Sequence, residues 1–313
     1  MKIVSPSPHL HTGENTSSLM RDVLIALSPA LAFSIWIYGM SALCTSAVAV
    51  LSCIIFEWAI TRFLLKRPSS ISDSSAALTG LLLAFNLPAE ISPWLVVLGA
   101  LISIGVAKMS FGGLGRNIFN PALVGRVFLL VSFPVQMTTY TVNGVSGATP
   151  LAMAKGATFS GAMPTFDMGN MMLGVDKGGS MGEIAGILLL LGGVYLLVRR
   201  VISWHIPVMV LGTMALFSAI LWGVDPSRYA SPLFQIFAGG AILGAIYMAT
   251  DYVTSPMSHS GMIVYGVGIG LLTILIRTWG AYPEGVSFAI LIMNATVPLI
   301  NMYMKPKRFG AKK

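Results

Sequence analysis

The chain has 313 residues, of which 55% are hydrophobic and only 10% charged, against roughly 45–50% and 25% in an average soluble protein. That balance excludes a soluble globular enzyme, and with 33 Gly and 17 Pro in no fixed period it also excludes intrinsic disorder and a collagen-like rod. The net charge of +8 reads as insertion topology, because basic residues flank apolar spans in membrane proteins; no nucleic-acid partner is expected.

In chain order, residues 1–22 form a polar tail carrying His9 and His11. It shows no apolar core followed by a small-residue cleavage site, so the first apolar span is expected to direct insertion. The apolar stretches are Val23 to Met40, Ser41 to Ile60, Ser74 to Leu87, Trp94 to Ala107 and Ile118 to Pro134, then Ile184 to Val198, Ile206 to Val224, Leu233 to Thr250, Met262 to Ile276 and Val286 to Met304. Several fall short of the ~20 residues a helix needs to cross a bilayer, notably Ser74 to Leu87 and Trp94 to Ala107, and are expected to be broken or re-entrant. Cys44 and Cys53 lie nine positions apart in one apolar run, which is no metal-ligand spacing; both read as packing residues.

Ten crossings from a cytoplasmic start put fourteen of the 19 Lys and Arg inside, from Lys2 and Arg21 through Lys108 and Arg116 to the tail at 305–313. Lys155, Lys177, Arg228 and Arg277 fall outside, and Arg126 lies within a span. That asymmetry places both termini in the cytoplasm. The expected class is therefore an all-α polytopic membrane protein of about ten transmembrane helices. Its one long connection, residues 135–183, lies on the outer face between a first membrane half at 23–134 and a second at 184–304, with a basic tail at 305–313. Five crossings per half invert the second half relative to the first, as in many transporters. Weak similarity between the stretches from Leu78 and from Leu243 supports this repeat: each has an apolar segment, a Pro-containing break and a Gly-rich segment. Asn120-Pro121 follows in one half, and Asn294 then Pro298 in the other.

No catalytic constellation is assigned and no metal site is expected: none of His9, His11, His205 and His259 sits in a metal-binding motif. The run FGGLGRN from Phe111 lacks the phosphate-binding pattern, and Gly112, Gly113 and Gly115 read as a tight loop before a span. The outer connection contains Asn143-Gly144-Val145-Ser146-Gly147-Ala148-Thr149-Pro150. Local chemistry leaves two readings open there. One is a small-residue turn before a helix starting at Pro150. The other is a Thr149 hydroxyl that a modifying enzyme can approach closely. Acids within spans are costly, so Glu57 and Asp251 are candidates for an ion path, with Arg126 a possible basic partner in the first half. Asp251 sits with Thr250, Thr254 and Ser255 in a broken segment whose oxygens suit a cation or a second, noncovalent flavin. Glu57, near a cytoplasmic end, is expected to reach toward water.

The stretches FGGLGRNIFNPALVGR, SGATPLAMAK and ATDYVTSP, in that order, resemble a family of membrane subunits that includes the D-type subunit of the Rnf electron-transport complex and the B-type subunit of the sodium-pumping NADH:quinone oxidoreductase. The resemblance runs from Ser5 to Met304, and the short N-terminal extension looks more like the former. It implies FMN esterified through its phosphate to Thr149, installed by a flavin transferase, with Ser146, Gly147 and Ala148 completing the attachment motif and Asn120 a further cofactor-side candidate. Where the family commonly has Asp three residues before the Ser, this chain has Asn143. The resemblance further implies a bacterial or archaeal cytoplasmic membrane and partner subunits with flavins and iron–sulfur centres. It implies electron transfer between ferredoxin and NAD coupled to Na⁺ or H⁺ movement. Two rival readings accompany it: a secondary transporter or channel with a midplane site at the paired breaks, and a scaffold that only assembles partners.

Overall fold

Four helices begin on a Ser, Thr or Asn followed directly by Pro: Pro93, Pro121, Pro150 and Pro232 each open one. Proline at the first helical position costs no hydrogen bond, and the preceding side chain can take up an orphan N–H. The computed structural model describes residues 15–66, 71–142, 145–161, 163–174 and 178–305. The expectations for His9, His11, Asn143, Lys177 and the tail after Lys305 lie outside them.

The first half comprises α1 (Thr16–Tyr38), α2 (Met40–Ala59, continued as a π-helical turn Ile60–Leu64), α3 (Ser75–Phe85), α4 (Pro93–Leu101, continued as a π-helix Ile102–Met109) and α5 (Pro121–Ser132). The middle segment follows, with α6 (Pro134–Thr138), β1 (Tyr140–Val142), β2 (Val145–Gly147), α7 (Pro150–Ser160), α8 (Met168–Leu173) and α9 (Met181–Ile184). The second half holds α10 (Gly186–Val198), α11 (His205–Val224), α12 (Pro232–Phe237), α13 (Ala241–Leu243, continued as a π-helical turn Gly244–Met248), α14 (His259–Trp279) and α15 (Val286–Tyr303). Five of these helices, Thr16–Tyr38, Met40–Leu64, His205–Val224, His259–Trp279 and Val286–Tyr303, are long and apolar enough to cross a membrane; Ser75–Phe85, Pro93–Met109, Pro121–Ser132 and Gly186–Val198 are shorter and apolar.

The architecture is thus a polytopic helical one, with two amendments to the expectation. The middle segment is not a bare loop, and it contains a small antiparallel strand pair, Tyr140 opposite Gly147. The apolar stretch Leu233 to Thr250 is also interrupted. α12 ends at Phe237, Gly239 takes φ +69°, and helix resumes at Ala241. Hydropathy alone reads through such a break because Ala238-Gly239-Gly240 is as apolar as its flanks. The short stretch from Ser74 behaves as expected. α3 has 11 residues, about 16 Å at 1.5 Å per residue, and the chain leaves helix at Asn86 to reach Pro93. The Gly112, Gly113 and Gly115 loop also takes the form read from sequence: all three have positive φ, between +88° and +110°, conformations that side-chain-bearing residues rarely adopt.

Helix packing places the polar segments at two ends of the bundle. At one end, Asp22 of α1 meets Arg199 after α10 (3.1 Å), Glu57 of α2 meets Lys108 in the continuation of α4 (2.6 Å), and the His205 and His259 rings stack with centroids 4.4 Å apart. At the other, Tyr38 donates to Gly179 O (2.9 Å), Thr45 to Ala89 O (2.9 Å), and Trp94 packs on Phe133. Small residues let the helices close up: a methyl at Gly80 of α3 would lie 2.7 Å from Val50 Cα of α2, and one at Gly270 of α14 would lie 2.7 Å from Val210 O of α11. Such contacts replace the hydrophobic drive that lipid surroundings remove. The cysteines divide between faces, Cys53 buried and Cys44 exposed. Only Cys53 is therefore a packing residue within this chain; nine positions are two and a half turns, which puts the pair on opposite sides of α2.

Candidate functional site

Thr149 is extended (φ −64°, ψ 154°) and caps α7, its Oγ1 accepting from Ala152 N at 3.1 Å. The reading of a turn before a helix at Pro150 is the one the structure shows. A cap uses the oxygen as acceptor, and esterification replaces only its hydrogen. The side chain is not exposed as the sequence leads one to expect: Thr149 is 6% accessible and lines a cavity of about 250 Å³. Gly147 and Ala148 stay exposed beside it. Ser146 stands in β2 opposite Thr141.

The wall facing Thr149 comes from distant parts of the chain. α5 supplies Arg126, β1 supplies Tyr140, and the turn before α15 supplies Tyr282, Pro283 and Glu284. Arg126 is 4% accessible. Its Nη2 forms an ion pair with Glu284, and its Nη1 donates to Asn86 Oδ1 (2.6 Å) and Ser287 Oγ (2.9 Å). Its Nε has no partner, which is costly for a buried donor. The sequence suggests an acid of the first half as the partner of Arg126, but the structure pairs it across the halves with Glu284. Tyr140 Oη donates to Glu284 at 3.5 Å. Burial first, and the Glu183 carboxylate second, push the Tyr140 phenol well above its ordinary range, so it stays a neutral donor.

Lys155 of α7 donates to Gly280 O and, at 2.9 Å, to Tyr282 O, strapping the middle segment to the turn that carries Glu284. Partial burial lowers its pKa. Arg277, expected in an outer loop, instead lies buried in the last turn of α14, donating to Gln235 O (2.5 Å), Gln235 Oε1 (2.9 Å) and Ala238 O (2.9 Å). It satisfies the carbonyls freed where α12 stops, a position well suited to a cation.

The residues present fit a phosphate-tethered flavin. The Thr149 oxygen sits at a helix N-terminus, which favours an anion. The adjoining cavity offers an aromatic wall at Tyr282 and a buried cation, Arg126. The volume is below the roughly 300–1,000 Å³ of pockets that enclose drug-sized ligands, so a group tethered there would extend past the mouth.

A second polar cluster gathers at the opposite end. A cavity of about 80 Å³ is lined by Ser75, Lys108, Asn117, Asn120, Thr250 and Asp251 among other residues. Thr254 Oγ1 donates to Asp251 Oδ2 at 3.2 Å. Glu57 does not reach for water: it is 1% accessible and pairs with Lys108 Nζ at 2.6 Å, while Lys108 also donates to Ser75 Oγ at 2.6 Å. Lys108, expected in a cytoplasmic loop, is 1% accessible; the π-helical continuation of α4 carries it inward.

Asn120 lies at this second cavity, not at the Thr149 pocket. Its Oδ1 caps α5 and its Nδ2 donates to Met248 O at 3.2 Å. The Asn294 amide, oriented to satisfy its neighbours, accepts from Asn120 N (3.1 Å) and donates to Thr254 O (3.3 Å) and Tyr265 Oη (2.6 Å). The two asparagines thus touch, and they tie α5 and α15 to the segment that follows α13. Sequence reasoning missed Glu284 and Tyr140. Glu284 sits in a polar turn with no motif, and only folding brings it to Arg126.

Residues 3–310 match the family described as NQR2, RnfD, RnfE. The chain is similar to the D-type subunit of the Na⁺-translocating ferredoxin:NAD⁺ oxidoreductase complex of Acetobacterium woodii, at 44% identity over 99% of this chain and 96% of the relative. It is similar to the D-type subunit of the proton-translocating ferredoxin:NAD⁺ oxidoreductase complex of Clostridium ljungdahlii, at 41% identity over 99% and 96%. The corresponding subunit of the ion-translocating oxidoreductase complex of Alcanivorax borkumensis is 38% identical over 99% and 97%.

Proposed function

The chain belongs to the NQR2, RnfD, RnfE family, and from that premise we propose that it is the D-type membrane subunit of an Rnf-type ferredoxin:NAD⁺ oxidoreductase, relaying electrons through an FMN esterified to Thr149. It works as one subunit of a multi-subunit ion-translocating oxidoreductase, not alone. The observation that carries the flavin reading is the Thr149 hydroxyl, held as a helix N-cap over a cavity walled by Arg126, Tyr140 and Tyr282. FMN would supply reversible electron transfer there. The N-terminus of α7 would hold the phosphate, Tyr282 offers a face for the ring, and the covalent link keeps the group at high local concentration.

The same reading has ten crossings in two inverted halves, both termini cytoplasmic and the Thr149 segment on the outer side. Supporting it are the gathering of alternate helix ends at opposite ends of the bundle and the contact between Asn120 and Asn294. Coupling ions would pass by way of Asp251, Thr254 and the Lys108–Glu57 pair. Partner subunits with flavins and iron–sulfur centres would deliver and remove electrons. Whether the ion is Na⁺, as named for the Acetobacterium relative, or H⁺, as named for the Clostridium one, is read by transport assay. The test of the flavin reading is the intact mass of the chain isolated from its native complex. An added FMN phosphoryl group that maps to Thr149 supports it, and an unmodified Thr149 overturns it.

A further inference from the structure

The strongest feature outside the attachment motif is the buried charge pair under it. Arg126 and Glu284 come from opposite halves, meet directly, and both line the cavity that Thr149 overlooks. The two partners differ in how fully they are satisfied. Glu284 is met by Arg126 and by the neutral Tyr140 hydroxyl at 3.5 Å, whereas Arg126 keeps its Nε without a partner despite near-complete burial. Asn86 and Ser287 fix the guanidinium on the side away from that atom. A buried unpaired donor costs about 1–3 kcal/mol, a cost that Arg277 Nε carries as well.

Resting on the Thr149 flavin reading, we infer that Arg126 and Glu284 form an opposed charge pair that sets the reduction potential of a flavin tethered at Thr149, Arg126 raising it and Glu284 lowering it. A neutral flavin ring that takes up two electrons and one proton gains one negative charge. A cation beside it favours the reduced form and an anion disfavours it, and both effects are strong because the site is buried and poorly screened. Arg126 lines the cavity and is the cation that this charge would meet, with the electrons coming from the titrating reductant. The pair also explains why Glu284 is tolerated there. With the oxidised, neutral ring, Glu284 compensates Arg126, which otherwise would be an isolated buried cation.

The test uses the full-length chain co-produced with a flavin transferase, washed free of noncovalent flavin and titrated against dithionite with optical readout. Arg126→Met is expected to lower the flavin midpoint by at least about 30 mV, tenfold in the two-electron equilibrium. Glu284→Gln is expected to raise it, and Arg126→Lys to stay closer to the parent than Arg126→Met. Opposite signs cannot come from general damage to the fold. Should Arg126→Met fail to accumulate, the upward shift in Glu284→Gln decides alone. Attached flavin with both midpoints unmoved, or both moved the same way, overturns the charge-pair inference and leaves the attachment standing. A parent chain with no added FMN mass overturns both.

Discussion

The bundle holds a buried cation against a carboxylate at each end, and the two pairs are built differently. At the Asp251 end, Lys108 and Glu57 both belong to the first half, each is about 1% accessible, and Lys108 also donates to Ser75. At the Thr149 end, Arg126 belongs to the first half and Glu284 to the second, and one guanidinium nitrogen is left over. A pair closed within one half, beside the proposed ion path, ties α2 to the continuation of α4. A pair that spans the halves beside a cavity is placed to respond to what the cavity holds.

The sharpest way to separate the ends is at Thr149 itself. Thr149→Ala is expected to abolish flavin fluorescence of the denatured, washed chain, while Asp251→Asn leaves it at the parental level; retention in the alanine variant would move the attachment elsewhere. The converse experiment measures coupling. In the assembled complex, Asp251→Asn should diminish ion uptake into vesicles more than ferredoxin-driven NAD⁺ reduction, and equal losses would remove Asp251 from the ion path.

Next in size is the closed pair. Glu57→Gln strands the Lys108 charge and should cost about 3–5 kcal/mol, read as a lowered thermal unfolding midpoint in detergent. The double change Glu57→Leu with Lys108→Met should recover most of that loss, since a buried pair is often replaceable by apolar side chains. Failure to recover would mean that Lys108 serves something besides Glu57. A smaller effect tests the packing beneath the Thr149 end. Gly125→Ala puts a methyl 2.7 Å from Gly99 O of α4 and should destabilise by about 1–3 kcal/mol through overpacking, visible in the same melting experiment. Smallest of all is the pair at the bundle edge: Arg199→Ala removes the exposed partner of the half-buried Asp22, and since bridges with a solvated partner contribute little, the melting midpoint is expected to shift less than for any variant above.

Much of the membrane architecture was legible in the chain because it depends on local quantities. Runs of apolar residues, a Pro after a capping side chain and glycines at positive φ act within a few positions, and α4, α5 and the Gly112–Gly115 loop follow them. Where the reading failed, the cause was non-local. Lys108 and Arg277 look like loop cations beside apolar runs, yet both turn inward, one to a carboxylate on α2 and the other to carbonyls where α12 ends. Hydropathy likewise ran through the break at Ala238–Gly240, because a kink made by small apolar residues carries no polar mark.

The residue order by itself determined that this is a multi-span membrane chain with paired interruptions and a Ser-Gly-Ala-Thr motif in the segment between its halves. Those are one-dimensional patterns of transfer energy and backbone preference. Tertiary structure alone decided that Thr149 faces inward over Arg126, that Arg126 meets Glu284 across 158 positions of chain, and that Asn120 touches Asn294. Charge pairing acts through space over a few ångströms, and sequence distance says nothing of which groups will come that close.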